Sequence, residues 1–343
     1  SGMIGATDRI ALLMEGSIDD RTGKMGLAVL RYQVSEVVCA IDGSHQGECL
    51  GELSSVSRRC PIVGTLEGAL ALRPTVLVLG GAPPGGRLTA AWEDIVRAAL
   101  AEGLSVVNGL HDALAPRFRD LAPGQWIWDV RIEPPGLTTA TGAARELDNR
   151  RALFIGTDMS VGKMTAGLEV QREARRRGLE CGFVATGQCG MVVTGSGVPL
   201  DGIRLDFAAG AIEREVLRRP EPIVLIEGQG SLNHPASSAT LPLIRGSMPT
   251  HFVLCHRAGM RRLPRWPWVN VPQLPRLISL AEELAAGAGS FARPRTCAVA
   301  LITHGLSDAE AAEAIVATEK ETGLPTADPV RNGAGVILDA LLN

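Results

Sequence analysis

Aromatic side chains are scarce: phenylalanine, tryptophan and tyrosine together make up 3% of 343 residues, and there is a single tyrosine. Packing must therefore rest on Ala, Leu, Val and Ile within a hydrophobic share of 45%. An excess of one charge is also missing, and a net charge of −3 gives no field for nucleic acid or an anionic membrane. No apolar run approaches the roughly 18 residues that span a bilayer. The seven cysteines (Cys39, Cys49, Cys60, Cys181, Cys189, Cys255 and Cys297) are odd in number and contain no C-x-x-C pair. That argues against a metal site and for reduced thiols in a cytoplasmic protein. Ser1-Gly2-Met3 reads as an expression remnant before a native start, with no signal-peptide pattern behind it.

A dinucleotide fingerprint is absent as well. The first apolar run, Arg9 to Met14, leads into GSIDDRTGKMG, where six residues separate Gly16 from Gly23. No G-x-G-x-x-G follows, so Asp42 after the second run, Glu36 to Ile41, is weak support for a nicotinamide site. The same spacing sets Lys24 aside. Thr75 to Gly80 predicts a third buried strand, Ala90 to Glu102 a helix and Ser105 to Asn108 another strand. His111 beside Asp112 has the placement of a surface or capping residue. Strands alternating with helices over short links predict a parallel, doubly wound α/β sheet. Pro134 to Gly142, poor in large apolar groups, reads as a connector. The predicted domains are 3–140, Rossmann-like, and 141–343, a phosphate-loop domain.

What the second half does contain is RALFIGTDMSVGKMTAG, residues 151–167. An apolar strand, Ala152 to Ile155, runs into a glycine-bounded loop and a helix that opens with Gly162-Lys163. Backbone N–H groups and the positive end of a helix converge on an anion in such a loop, and a lysine reaches over it. The candidate binding residues are Gly156, Thr157, Asp158, Ser160, Val161, Gly162, Lys163, Met164 and Thr165. Five residues separate the glycines here, where the usual phosphate loop has four. Met164 occupies the place of the hydroxyl that ligates Mg²⁺, and a thioether suits so hard a cation poorly. Thr165 comes one place late, rotated by about 100° on a helix. The loop is thus expected to hold phosphate without a metal.

Further strands are predicted at Cys181 to Thr186, Ile223 to Ile226, Phe252 to His256 and Cys297 to Thr303, with helix, strand and helix in the tail, 309–343. In open α/β sheets, ligands lie at the carboxyl ends of the strands. That places Thr186, Gln188, Glu227, Gln229, Gly230, Ser231 and His234 among the candidates. Gly190 to Gly210 is expected to be a glycine-rich excursion carrying Asp201, Arg204 and Asp206. The Pro- and Arg-rich stretch from Arg257 to Arg265 fits either a site or a subunit contact.

GTDMSVGK at 156–163 and EGQG at 227–230 resemble dethiobiotin synthetase and its relatives. The second lysine typical of the dimerising cell-division ATPases of that branch is absent. Across GAPPGG, VNGLHD, ATGQCG, LDGIRLDFAAG and IEGQGSLNHP, the whole chain resembles the bacterial D-glutamate N-acetyltransferase family, once catalogued as a domain of unknown function. Its members pair a Rossmann-like domain with a phosphate-loop domain. The resemblance implies acetyl transfer from acetyl-CoA to the amine of an acidic amino acid, D-glutamate above all. Such a reaction calls for a base, with Glu227 or Asp206 first and His234 third, and for an oxyanion site, offered by the N–H groups of 228–230. Two substrate carboxylates call for arginine, with Arg204, Arg245 and Arg257 as candidates. The alternatives are an ATP/Mg-dependent ligase or kinase of the dethiobiotin-synthetase type, and a non-catalytic nucleotide sensor. The partners expected are a small-molecule substrate and further copies of the chain in a homo-oligomer.

Overall fold

The computed structural model describes residues 4–19 and 22–343, so Ser1 to Met3 lie outside the described residues. By its contacts the chain divides into two units, Ser1–Glu133 with Gln188–Gly202, and Pro134–Gly187 with Ile203–Asn343.

Unit 1 is a six-stranded sheet built from β1 (Arg9–Leu13), β2 (Glu36–Ile41), β3 (Ile62–Val63), β4 (Val76–Leu79), β5 (Ser105–Asn108) and β6 (Ile127–Asp129). Its order is β3-β2-β1-β4-β5-β6, and every pairing is parallel. Helices α1 (Lys24–Tyr32), α2 (Leu50–Leu53), α3 (Leu66–Leu70) and α4 (Ala90–Ala101) connect the strands. Strands covered on both faces lose the polar alternation of a half-exposed sheet. Accordingly Ile10 to Leu13 and Val76 to Leu79 are wholly buried, and Leu13, Leu77 and Leu79 pack with Trp92 and Val96 of α4. This is the doubly wound Rossmann order, which reverses direction between β1 and β4. Asp42, at the end of β2, is spent internally: its carboxylate accepts from Gly16 N at 3.0 Å, Ser44 N at 2.8 Å and the His45 ring at 3.2 Å.

Unit 2 carries a second sheet of β7 (Arg150–Gly156), β8 (Cys181–Val184), β9 (Ile223–Ile226), β10 (His251–Arg257), β13 (Arg295–Ile302) and β14 (Thr326–Ala327). A two-stranded hairpin, β11 (Arg262–Leu263) with β12 (Trp266–Asn270), stands apart from it. The sheet order is β14-β13-β10-β7-β9-β8, all parallel, which sets β7 between β9 and β10. Its helices are α5 (Lys163–Arg176), α7 (Leu205–Leu217), α8 (Thr240–Ser247), α9 (Leu274–Ala286), α10 (Asp308–Thr322) and α11 (Gly335–Leu342). A capping box of Ser307 and Glu310 starts α10, and Gly323 in the left-handed region stops it. The two parallel sheets agree with the α/β class expected from the alternation of apolar runs.

One expectation about irregular chain fails. Gly190 to Gly210 is not one excursion: α6 (Gln188–Thr194) occupies its start, and α7 begins at Leu205. Glycine lowers helix propensity by only about 1 kcal/mol, and packing offsets that here. An added Cβ on Gly210 would lie 1.9 Å from the Thr138 carbonyl oxygen, so the glycine lets α7 meet the backbone of 138–139. The stretch from Arg257 to Arg265 leads from the end of β10 into the β11–β12 hairpin. Among the described residues no helix is long and apolar enough to cross a membrane. None of the seven cysteines forms a disulfide, and burial pushes the Cys39, Cys60 and Cys181 thiols up to about 12.

One buried carboxylate closes the loop before β7. Glu213 on α7 accepts from Thr141 N at 2.7 Å, Gly142 N at 2.9 Å and the Thr141 hydroxyl at 2.6 Å. Burial alone would raise its pKa, but these donors outweigh burial and the net shift is downward. Glu213→Ala would remove the shared acceptor of several half-buried donors and should cost about 3 kcal/mol, seen as a lower denaturation midpoint. Because the folded pKa is depressed, this stabilisation is present above the ordinary 4.5 and lost as pH falls below it. A Glu213→Ala protein as stable as wild type at pH 7 would refute the account.

Candidate active site

The site begins at the carboxyl end of β7. An added Cβ on Gly156 would lie 2.7 Å from Val161 Cγ2 and 3.0 Å from Lys163 Nζ, so the missing side chain makes room for the lysine. Ser160 (φ 55°) and Gly162 (φ 86°) turn the loop through the left-handed region. Glycine takes that conformation freely and serine at a cost, and such strain collects at functional sites. Gly162 is the N-cap of α5, so no side chain caps this helix, and its first turn holds no acid. The positive end of the dipole is thereby kept for an anion. Lys163 is buried and folds back over the loop, its ammonium donating to the Asp158 carbonyl oxygen at 2.7 Å.

Neighbouring strands strap the loop in place. Thr157 N donates to the Cys255 carbonyl at 3.2 Å, and the Thr157 carbonyl accepts from Asn233 Nδ2 at 2.9 Å. The Thr157 hydroxyl shares a hydrogen bond of 2.9 Å with His256 Nδ1. Burial pushes the His256 ring down to about 4, so it stays neutral and can accept that hydroxyl. The Asp158 carboxylate accepts from Met159 N at 2.6 Å and lies 3.6 Å from His234 Nε2. His234 Nδ1 accepts from Ala236 N at 3.1 Å, which leaves the proton of the neutral ring on Nε2. The ring meets Trp266 edge-on, with centroids 4.4 Å apart.

Glu227 follows β9, the strand paired directly with β7. It is buried, and its Oε2 accepts from Thr186 N at 2.9 Å and Gly187 N at 3.2 Å. The Thr186 hydroxyl donates to the Glu227 carbonyl at 2.6 Å and accepts from Gln229 Nε2 at 3.3 Å. Gly228 presses this end of β9 against β7: an added Cβ would lie 1.7 Å from the Phe154 carbonyl oxygen and 3.0 Å from Lys163 Cδ. Gly230 (φ 61°) then turns the chain, with no room for a side chain beside Ser237 Oγ, 1.7 Å from its would-be Cβ. Along the same loop, Ser231 Oγ, Asn233 Oδ1 and His234 Nε2 are buried without a hydrogen-bond partner. Buried polar atoms are nearly always satisfied, so three orphans in one loop fit a ligand that supplies partners.

The candidates from the sequence thus separate. Gly156 to Thr165, Thr186, Glu227, Gln229, Gly230, Ser231 and His234 gather at the carboxyl ends of β7, β8 and β9. Val161 is buried, while Met164 and Thr165 are half-buried in the first turn of α5. Arg257, at the end of β10, reaches the Ser160 carbonyl at 3.4 Å. Three others lie elsewhere. Arg245 donates to the Leu284 and Ala285 carbonyls at 3.0 and 3.2 Å and stacks over Phe291, so its guanidinium is committed to the end of α9. Arg204 is exposed at the start of α7, over the Phe207 ring, and Asp206 is exposed in the first turn of that helix. Gln188 opens α6 and belongs to unit 1. Sequence reasoning missed His256 and Asn233 as supports of the loop. The usable signal was a polar residue at the carboxyl end of the apolar run Phe252 to His256.

Two family models match the chain: a P-loop domain described as a domain of unknown function (DUF1611_C) over residues 138–338, and its Rossmann-like companion (DUF1611_N) over residues 43–133. A D-glutamate N-acetyltransferase of Tritonibacter scottomollicae is 38% identical over 287 residues, covering 81% of this chain and 84% of that protein. A protein of the same name from a Pseudoalteromonas species is 32% identical over 301 residues, covering 84% and 89%. The crystal structure of a DUF1611 family protein from Anabaena variabilis superposes with a TM-score of 0.93 at 47% identity, over 98% of this chain and 99% of that one. With a phosphate cradle behind β7, a Rossmann-ordered first unit and relatives matching from end to end, the chain belongs to the DUF1611 family.

Proposed function

We propose that this protein is an amino-acid N-acetyltransferase that uses acetyl-CoA, with D-glutamate as the acceptor. The names of the two relatives support the reaction class and the acceptor. The observation that carries the reading is a cradle that keeps Gly156, Gly162 and a buried Lys163 but places Met164 at the magnesium position. Binding the diphosphate of CoA requires charge and N–H donors there, and acetyl transfer cleaves no phosphoanhydride.

In this reading Lys163 and the uncapped start of α5 hold the diphosphate. Glu227 takes the proton that the acceptor's ammonium must lose. The freed amine attacks the thioester carbonyl, the C–S bond breaks, and CoA leaves as a thiolate that is then protonated. N–H groups of 228–230 face the oxyanion. Asp206 is too exposed for the part of base. His234 Nδ1 already accepts from Ala236 N, so the ring has no free lone pair with which to act as the base. Arg257 reaches the loop through the Ser160 carbonyl and pairs with a substrate carboxylate.

Mixing the protein with acetyl-CoA and D-glutamate should release free thiol without nucleotide or magnesium. Lys163→Ala should weaken CoA binding by about 1.5–3 kcal/mol, the range of a hydrogen bond to a charged group, or roughly tenfold to a hundredfold by calorimetry. Magnesium-dependent ADP formation from ATP, with no thiol released, would instead establish the ligase or kinase reading.

A further inference from the structure

Unit 1 has a crevice of its own. Where the sheet order reverses, between β1 and β4, the loops that follow these strands diverge and leave a cleft at their carboxyl ends. In this unit the cleft is a cavity of about 170 Å³, and its polar lining is Thr22, Lys24, His111, Arg131 and Gln188. Among the described residues, no aspartate or glutamate lines it. Two residues that the sequence offered only as a discarded lysine and a surface histidine therefore share one site.

The local construction keeps that site open and positive. Gly26 N donates to the Gly80 carbonyl at 2.8 Å, and a Cβ on Gly80 would lie 2.9 Å from Gly26 Cα. This close approach sets the first turn of α1, with Lys24, beside the end of β4. No side chain caps α1, and its first turn holds no acid. A Cβ on Gly86 would lie 2.9 Å from the His111 ring, so glycine there leaves the imidazole its space. Arg131 Nε donates to the Gly109 carbonyl at 2.7 Å, and Nη1 pairs with Asp201. The guanidinium is thus fixed at the cavity wall.

Size and charge together limit what fits. The cavity is well below the roughly 300–1,000 Å³ of sites for drug-sized molecules. The acid that would read a ribose, Asp42, already holds three donors. We propose that unit 1 binds a small organic carboxylate of amino-acid size in this cavity, with Lys24 supplying charge and His111, Gln188 and the fixed Arg131 guanidinium supplying hydrogen bonds. This goes beyond the acetyl-transfer reading and does not require the phosphate loop to hold CoA.

Calorimetry on the full chain with D-glutamate, N-acetyl-D-glutamate and inorganic phosphate tests it. At least one carboxylate should bind more tightly than phosphate, and the two arms tell a free amino acid from its acetylated form. Lys24→Ala should weaken that carboxylate about tenfold or more and Lys24→Glu further, while Lys24→Arg restores it. Lys24 is exposed, so these variants should fold, and Lys163→Ala should leave the carboxylate affinity unchanged. Wild-type affinity in Lys24→Glu, loss of it in Lys163→Ala, or binding of phosphate alone would each overturn the assignment. If thiol release fails while Lys24 still controls carboxylate binding, the acetyl-transfer reading falls and this one stands.

Discussion

Replacing Gly228 by alanine should destabilise the site and unit 2 around it. The new methyl carbon would lie 1.7 Å from the Phe154 carbonyl oxygen, where real carbon atoms essentially never come. Its opponent is backbone, part of β7, whose Leu153 pairs with Ile226 of β9. Relief therefore means separating two central strands rather than rotating a side chain. Overpacking costs about 1–3 kcal/mol where side chains can yield and more where backbone must. About 3 kcal/mol or more is expected, a fall in melting temperature of about 6–12 °C for a unit of this size. The same shift would displace Lys163, whose Cδ lies 3.0 Å from the new carbon, so ligand affinity should fall with stability. A Gly228→Ala protein that melts like wild type and binds CoA equally well would show that β9 and β7 are not in contact there.

Mild acid should destabilise the protein well above the range where carboxylates titrate. Burial, with Arg295 and Arg150 nearby, pushes the His251 ring from its ordinary 6.5 down to about 4. Burial does the same to His256, against an opposing pull from Glu321, again to about 4. Between these values the unfolded chain takes up a proton at each ring and the folded chain does not. Stability is therefore full above pH 6.5 and falls as pH drops toward 4. Each pH unit in that window removes at most about 1.4 kcal/mol per ring, so the two histidines account for up to roughly 6 kcal/mol by its lower end. Urea midpoints measured at pH 7, 6 and 5 would follow this decline. His256→Asn should roughly halve it, since asparagine has no charge to acquire and His251 keeps its share. A flat profile in the wild type over that range would mean that both rings ionise freely in the folded state.

Both predictions concern supports that the sequence left unmarked. Gly228 follows the glutamate of EGQG, but nothing in the chain order says that β9 lies against β7. His256 ends an apolar run, and its use as the partner of Thr157 depends on β10 being the other neighbour of β7. Neighbours in a parallel sheet are set by crossovers of tens of residues, so side-chain spacing within a strand cannot reveal them. The helix beginning at Leu205 was hidden for a related reason. Glycines that weaken a helix in isolation become an advantage where it must approach another backbone, as Gly210 does beside Thr138. Arginine roles were the least legible. A guanidinium serves a helix terminus, an aromatic face or a substrate equally well, and only packing shows that Arg245 serves the end of α9.

By itself, the sequence determined the alternation of apolar strands with helices, hence two parallel α/β sheets, and the phosphate cradle from Gly156 to Lys163 with methionine in place of a metal-binding hydroxyl. Those features are local: a strand, a loop and the start of a helix written in consecutive residues carry their own geometry. Tertiary structure decided which distant groups hold that loop, His256 from β10 and Asn233 from beyond β9, and that Arg245 is already spent. It also turned Lys24 and His111, 87 positions apart, into two walls of one cavity. The reason is that a doubly wound sheet folds the carboxyl ends of its strands onto one edge, and that convergence belongs to the order of the strands rather than to any one of them.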